Sequence, residues 1–206
     1  MGTKQRRQRE ADRRRQEILD AARQLFWQHG YAGTSIPEIA GAAELAPGTI
    51  YLYFPGKEAL YIELLLEGYE ILYRRLVAAG ARPVPPARQA ALLLDVFLAF
   101  AREYPEYYDI IFFLMQKERS GVWEGIFPAQ AMARVRAHEA ACKSIAAGIL
   151  ERAGFVDPKR RAATVAAVWS MLSGVIFHFR NDPAGKRVAA RAKEMILAAV
   201  FADAPR

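Results

Sequence analysis

Cysteine, histidine and long apolar runs are scarce in this sequence, and each scarcity excludes a class of protein. The single cysteine, Cys142, cannot form a disulfide within the chain, which suits a reducing cytosol. His138 lies one helical turn before it, but two ligands do not make a metal site, and we expect both to pack within a helix. No metal and no cofactor are therefore expected.

Other signals are missing as well. The basic N-terminus is followed by no apolar run, so we expect no signal peptide. The longest uncharged stretch, residues 162–179, is interrupted by Ser170, Ser173 and His178, and a buried or interfacial helix is favoured there over a membrane span. No nucleophile–base motif, phosphate loop or paired catalytic carboxylates stand out, so we do not expect an enzyme.

The apolar residues recur at helical spacing, and period-two alternation is nowhere sustained. The sequence therefore predicts an all-α fold of nine helices. Their expected positions are about 10–29, 36–43, 47–54, 57–79, 87–104, 105–120, 129–153 (with Trp123 as an earlier start of this seventh helix), 158–180 and 183–202.

A helix-turn-helix is predicted at about residues 35–54. Gly30 follows the first helix where a positive φ is easy, and Ser35 with Glu38 three residues later forms a capping box at the start of the second. Two short helices then follow, separated by a turn of three or four residues, and the small Ala40 lets them cross closely. This arrangement is typical of modules that place their second helix in the major groove of DNA.

The outward face of the third helix explains such a contact chemically. Pro47 and Gly48 make a slim helix start, and Thr49 offers a hydroxyl and a methyl group. Tyr51 and Tyr53 offer rings and hydroxyl donors. The positive charge of Lys57 opposes the dipole at the start of the fourth helix, and a phosphate bound there would make its position favourable. We therefore expect a phosphate contact, the alternatives being pairing with Tyr61 or plain solvation.

Positive charge is concentrated before the first predicted helix. Residues 1–15 hold seven bases against Glu10 and Asp12, a net charge of +5, whereas residues 16–60 carry a net charge of −3. We expect this basic arm to contact phosphates, the alternative being a disordered, solubilising tail.

Two segments, ILDAARQLFWQHGYAGTSIPEIA and APGTIYLYFPGKEAL, together resemble the DNA-binding domain of the tetracycline-repressor-like (TetR) family over about residues 15–60. Glu44 stands where the family often has glycine, Ala46 where it has Ser or Thr, and Leu52 where it is commonly polar. The resemblance implies phosphate contacts from the start of the second helix and DNA contacts from the third. The predicted DNA-binding residues are Thr34, Ser35, Pro47, Gly48, Thr49, Tyr51, Tyr53 and Lys57.

The resemblance also divides the chain into a DNA-binding domain, 12–72, and a C-terminal helical bundle for ligand binding and dimerisation, 73–206. Aromatic residues are dense in the second half, and the predicted apolar ligand pocket is lined by Tyr104, Tyr108, Phe112, Met115, Trp123, Phe127, His138 and Trp169. Dimerisation is expected through the eighth and ninth helices, with Val165, Val168, Leu172 and Ile176 as interface residues.

The sequence thus predicts a cytoplasmic, homodimeric transcriptional regulator. In the favoured interpretation it is a repressor that leaves a palindromic double-stranded operator when a small apolar ligand binds, with no membrane partner. The alternative is a DNA-binding activator or a regulator that responds to no ligand.

Overall fold

The computed structural model describes residues 2–119 and 127–202, with the side chains of Thr3 and residues 113–119 left aside. Helices account for most of the described chain and no strand occurs in it, which confirms the predicted all-α fold. The helices are α1 (Thr3–His29), α2 (Ile36–Ala42), α3 (Pro47–Tyr51), α4 (Lys57–Gly80), α5 (Pro86–Glu103), α6 (Pro105–Arg119), α7 (Ala129–Arg152), α8 (Pro158–Phe179) and α9 (Gly185–Ala202).

Helix α1 differs most from its prediction, because it begins at Thr3 instead of near Glu10. Residues 3–12 contain no Pro or Gly and are rich in Lys, Arg, Gln and Glu, which are good helix formers. Neighbouring turns are also tied together, since Arg13 pairs with both Glu10 and Glu17. The basic arm is therefore helical, and the alternative of a disordered tail is wrong for it, whereas the expected phosphate contact stays a prediction.

The described chain divides into two compact units. Unit 1 comprises Met1–Glu67 and Glu118–Val135, and unit 2 comprises Gly68–Lys117 and Arg136–Arg206. The division falls inside α4, between Glu67 and Gly68, whereas the sequence places the domain boundary at 72/73.

Unit 1 is built on the apolar face of α1. Ile18, Ala22 and Phe26 are buried there, and Leu25 is half-buried. Ile39 of α2 and Ile50 of α3 are both completely buried. Because each short helix contributes such an anchor, both are held by packing.

A segment from the second half of the chain joins this unit. Phe127 is buried, and its ring lies 6.0 Å from that of Tyr31 and 6.2 Å from that of Tyr61, centroid to centroid. The prediction that Phe127 lines a ligand pocket is therefore corrected: it belongs to an aromatic cluster that also includes Phe26.

Unit 2 packs α5, α8 and α9 together, with α8 and α9 in the most extensive contact. Helix α8 begins at Pro158, and the Asp157 side chain accepts a hydrogen bond from the Lys159 N–H. Among the described helices, α8 alone is long and apolar enough to cross a membrane by length and composition. Its packing against α5 and α9 is that of a helix in a bundle.

The expected dimer residues face the interior of unit 2. Val165, Leu172 and Ile176 are buried within the chain, and Val168 is half-buried beside the cavity described below. The assignment of these side chains to an intermolecular surface is therefore corrected, because they complete the core of their own bundle. The exposed apolar residues of α8 are instead Met171, Phe177 and Phe179.

A half-buried carboxylate in unit 1 gives a stability prediction. Glu63 of α4 lies 2.9 Å from Arg15 and 2.9 Å from Arg134. Burial raises the pKa of its carboxyl, but the two guanidinium groups outweigh burial and hold the pKa below its ordinary value of 4.5. The carboxylate therefore stabilises the folded state above that pH, and this contribution is lost as the pH falls.

We expect Glu63→Gln to lower the free energy of unfolding at neutral pH by about 1 kcal/mol. The difference from wild type should shrink as the pH falls below 4.5. Urea unfolding followed by circular dichroism across this range measures both effects. Glu70→Gln is the control, because Glu70 pairs with Arg74 on a largely exposed surface. Equal losses in the two variants would contradict the assignment.

Candidate nucleic-acid interface

The turn between α1 and α2 is set by glycine and by capping. Gly30 has φ 71° and ψ 174°, a conformation that favours glycine, and its N–H donates to the Phe26 carbonyl. Ser35 and Glu38 form the predicted capping box, with Glu38 N–H donating to Ser35 Oγ and Ser35 N–H donating to Glu38 Oε2. The hydrogen bonds to Glu38 hold the pKa of its carboxyl below the ordinary value.

Thr34 and Ser35 are placed differently, although the sequence predicts DNA contacts for both. Ser35 is exposed at the start of α2. The Thr34 side chain is buried, and its hydroxyl donates to the Gly30 carbonyl at 2.8 Å. Because that hydroxyl is used inside the unit, only Ser35 of the pair presents its side chain to an external partner.

The turn between α2 and α3 is a Schellman motif. Leu45 N–H donates to the Ala40 carbonyl at 2.8 Å, and Glu44 N–H donates to the Gly41 carbonyl at 3.1 Å. Glu44 has φ 55°, the left-handed conformation expected at this position. A non-glycine residue there costs about 1 kcal/mol. The turn tolerates this strain because both hydrogen bonds close it.

Helix α3 presents a surface that is open to solvent. Pro47 occupies its first turn, and Ala46 offers no side-chain cap. Pro47 and Gly48 are exposed, Thr49 is half-buried, and the Tyr51 side chain is 56% exposed. Leu52, just after the helix, is 81% exposed, which is unusual for a large apolar residue. The predicted contacts of α3 therefore form one continuous surface, with Tyr53 half-buried at its edge.

Lys57 is engaged within unit 1. Its ammonium donates to the Tyr31 carbonyl at 2.8 Å and to the Thr34 carbonyl at 2.9 Å, and it lies 4.3 Å from the centroid of the Tyr31 ring. The sequence gives no sign of these bonds, since the residues are more than twenty positions apart. The Lys57 ammonium is therefore neither merely solvated nor paired with Tyr61, the two alternatives given above.

The neighbouring Glu58 completes the contact. It accepts a hydrogen bond of 2.6 Å from the Tyr31 hydroxyl. Burial and this carboxylate both raise the pKa of Tyr31, so the hydroxyl stays protonated as a donor. The first turn of α4 is thus bonded to the α1–α2 turn through two adjacent side chains.

The basic arm is a solvent-exposed helical segment. Lys4, Arg6 and Arg7 are exposed in the first turns of α1, and the structure pairs none of the three with an acid among the residues it describes. Positive charges at a helix start oppose the helix dipole. The helix dipole therefore does not stabilise these three charges, and their exposed side chains are accessible to an anion, although Arg6 also interacts electrostatically with Glu10.

The predicted pocket residues are dispersed instead of lining one cavity. Tyr104 accepts a hydrogen bond from Arg75, and Tyr108 donates to the Ser173 carbonyl and stacks on Phe112. His138 is half-buried on α7. Trp123 and the side chain of Met115 lie outside the described residues. No cluster of three metal-binding side chains occurs within the described part of the chain.

An apolar cavity lies in unit 2 between α5, α7, α8 and α9. Its volume is about 90 Å³ and its walls are almost entirely apolar. Trp169 is the one predicted pocket residue that lines it. Leu94, Phe97, Val168 and Phe201 are among the residues that sequence reasoning missed, because helical periodicity does not separate cavity walls from core.

Comparison with known proteins agrees with this geometry. Residues 18–64 match the family model for bacterial regulatory proteins of the tetR family. The transcriptional repressor KstR2 of Rhodococcus jostii (strain RHA1) is 39% identical over 70 residues, which cover 32% of this chain and 34% of that protein. The transcriptional regulator UidR of Escherichia coli (strain K12) is 38% identical over 96 residues, 47% of each chain.

The match therefore spans a third to a half of these relatives. The structural similarity covers more of the chain than the sequence match does. A crystal structure of a bacterial regulatory protein in the tetR family from Rhodococcus RHA1 superposes with a TM-score of 0.72 at 19% identity, covering 91% of this chain and 96% of that one. Residues 18–64 therefore belong to the tetR family of bacterial regulatory proteins, and the chain has the fold of a solved structure of that family.

Proposed function

We propose that the protein is a sequence-specific DNA-binding repressor of transcription that acts in the cytoplasm. The observation that carries this proposal is the exposed surface of α3, held on a buried anchor, Ile50. The proposed contacts are Ser35, Pro47, Gly48, Thr49, Tyr51 and Tyr53, with phosphate contacts from Lys4, Arg6 and Arg7. Sequencing of genomic fragments retained by the purified protein tests the proposal directly, and retention of random fragments alone would overturn it.

Gly48 gives this interface a specific test. A Cβ added at Gly48 meets no atom within 4 Å, and its φ is not positive. Neither packing nor backbone conformation within the unit therefore calls for glycine. Close approach of an external surface explains the absence of a side chain, since the floor of the major groove leaves little room at a helix start.

We expect Gly48→Ala to raise the stability of the free protein by up to about 1 kcal/mol, because it restricts the unfolded chain. The same change should weaken operator binding by roughly tenfold or more, which is about 1.4 kcal/mol. Gly41→Ala in α2 is the matched control, since a Cβ there also meets nothing. It should stabilise the protein without changing affinity, as measured by thermal unfolding and fluorescence anisotropy. Unchanged affinity in Gly48→Ala would count against the interface.

We propose further that the protein binds a palindromic site as a homodimer. A single helix-turn-helix reads too few base pairs for genomic specificity. Unit 2 exposes large apolar side chains on its two neighbouring helices, with Met171 53%, Phe177 54% and Met195 58% exposed. Burying these residues against a second copy removes apolar surface from water.

Met171→Glu combined with Met195→Glu should therefore give a folded monomer that binds DNA weakly. Sedimentation velocity measures the association and circular dichroism checks the fold. Val156→Glu, which changes an 85% exposed apolar residue outside α8 and α9, should leave association intact. Wild-type protein that is monomeric at micromolar concentration would refute the dimer proposal.

The cavity of unit 2 supports the ligand part of the proposal. Its walls carry Cys142, Lys143 and Thr164 as polar residues. Burial raises the pKa of Cys142 to about 12, so this thiol is neutral. Lys143 pairs with Glu139, and Thr164 donates to the Arg160 carbonyl. Because these groups leave no uncompensated charge, the cavity favours a small, neutral, apolar ligand, whose binding we propose to release the operator.

A thermal-shift series of benzene, toluene and naphthalene, with the matching aromatic acids, should show stabilisation by the neutral compounds only. Ala146→Phe should abolish that stabilisation, because Ala146 lines the cavity and the added ring fills it. Compounds that bind are then tested for reduced operator affinity. Stronger stabilisation by the acids would contradict the proposed chemistry, and binders that leave operator affinity unchanged would contradict ligand-dependent release.

A further inference from the structure

The ammonium of Lys57 donates hydrogen bonds to the carbonyls of Tyr31 and Thr34. Both carbonyls belong to the turn that joins α1 to α2. Lys57 Nζ supplies both hydrogen bonds, at 2.8 and 2.9 Å. Because one ammonium binds two carbonyls three residues apart, the two hydrogen bonds hold the turn in this conformation.

Two of the three ammonium donors of Lys57 are thus committed inside unit 1. The same ammonium also lies over the Tyr31 ring, 4.3 Å from its centroid. A phosphate could take only the remaining donor. In the first turn of α4 a positive charge opposes the helix dipole, so helix stability does not favour lysine at this position.

We propose that Lys57 is a positioning residue for DNA binding: its ammonium holds the α1–α2 turn against the first turn of α4 and thereby places the exposed start of α2. This inference rests on the proposed function. It assigns Lys57 a different role from the phosphate contact that the sequence predicts.

The structural consequence is local. Ser35, the exposed capping residue of α2, directly follows the Thr34 carbonyl that Lys57 holds. Glu58 secures the other end of the turn through the Tyr31 hydroxyl at 2.6 Å. Loss of the ammonium removes both hydrogen bonds, whereas the buried anchor of α2, Ile39, is unchanged. The expected effect is a mobile start of α2 on a folded unit.

Lys57→Met tests the proposal, because methionine retains much of the apolar stem and removes the charge and the donors. Operator affinity should fall at least fivefold at a temperature where the variant is fully folded. The slope of log affinity against log salt should not change. Exchange of the Ser35 and Glu38 amide hydrogens, which form the capping box, should accelerate, and exchange in the buried part of α1 should remain unchanged.

Lys4→Met is the control, since Lys4 is exposed and the structure gives it no partner among the described residues. If Lys4 contacts phosphate, its loss should make the salt slope shallower by about 0.9 for each protomer bound. The same shallower slope in Lys57→Met would overturn the positioning role in favour of a phosphate contact. Unchanged operator affinity in Lys57→Met would overturn it in favour of a purely structural role.

Lysine acetylation followed by mass spectrometry gives a second test on the wild-type protein, in case Lys57→Met does not fold. Lys57 should react slowly in the free protein and equally slowly with DNA bound. Fast reaction in free protein that DNA suppresses would overturn the proposal. Wild-type protein that retains no specific DNA would instead refute the proposed function, so the two failures are distinguishable.

Discussion

The proposed DNA-binding surface of the protein depends on the burial of Ile50. Helix α3 has five residues, far fewer than an isolated helix needs to persist in water. Ile50 is completely buried and Phe54, just after the helix, is 2% exposed. These two side chains hold the helix while Tyr51 and Leu52 between them face solvent. The exposed surface of this segment is therefore held in place because Ile50 and Phe54 of the same segment are buried.

Local signals in the sequence predicted most of the helical framework. Eight of the nine described helices begin and end within three residues of their predicted positions. The Ser35–Glu38 capping box is also formed as expected. The start of α1 at Thr3 escaped prediction, because charge-rich segments can be helical or disordered and the sequence pattern does not distinguish them. Its ion pairs between successive turns favour the helix.

Long-range contacts were beyond the reach of sequence patterns. The bonds from Lys57 to the carbonyls of Tyr31 and Thr34 join residues that only the fold brings together. Phe127 was expected in a ligand pocket because it is aromatic and lies in the second half of the chain, yet it packs on Tyr31 and Tyr61. Periodicity predicts which residues are buried, but it does not predict which residues they pack against.

The same limit explains the reassignment within α8. An apolar helix can bury one face inside its own bundle and the other against a second copy, and its composition does not separate the two. Val168 and Leu172 line the cavity, whereas Met171 and Phe177 are exposed. Helix α9 repeats the arrangement, with Ile196 and Val200 at the cavity and Met195 exposed. In both helices the cavity wall and the proposed dimer surface are therefore formed by different residues of the same helix. A ligand that displaces the cavity wall also displaces the dimer surface, because an α-helix moves as a unit.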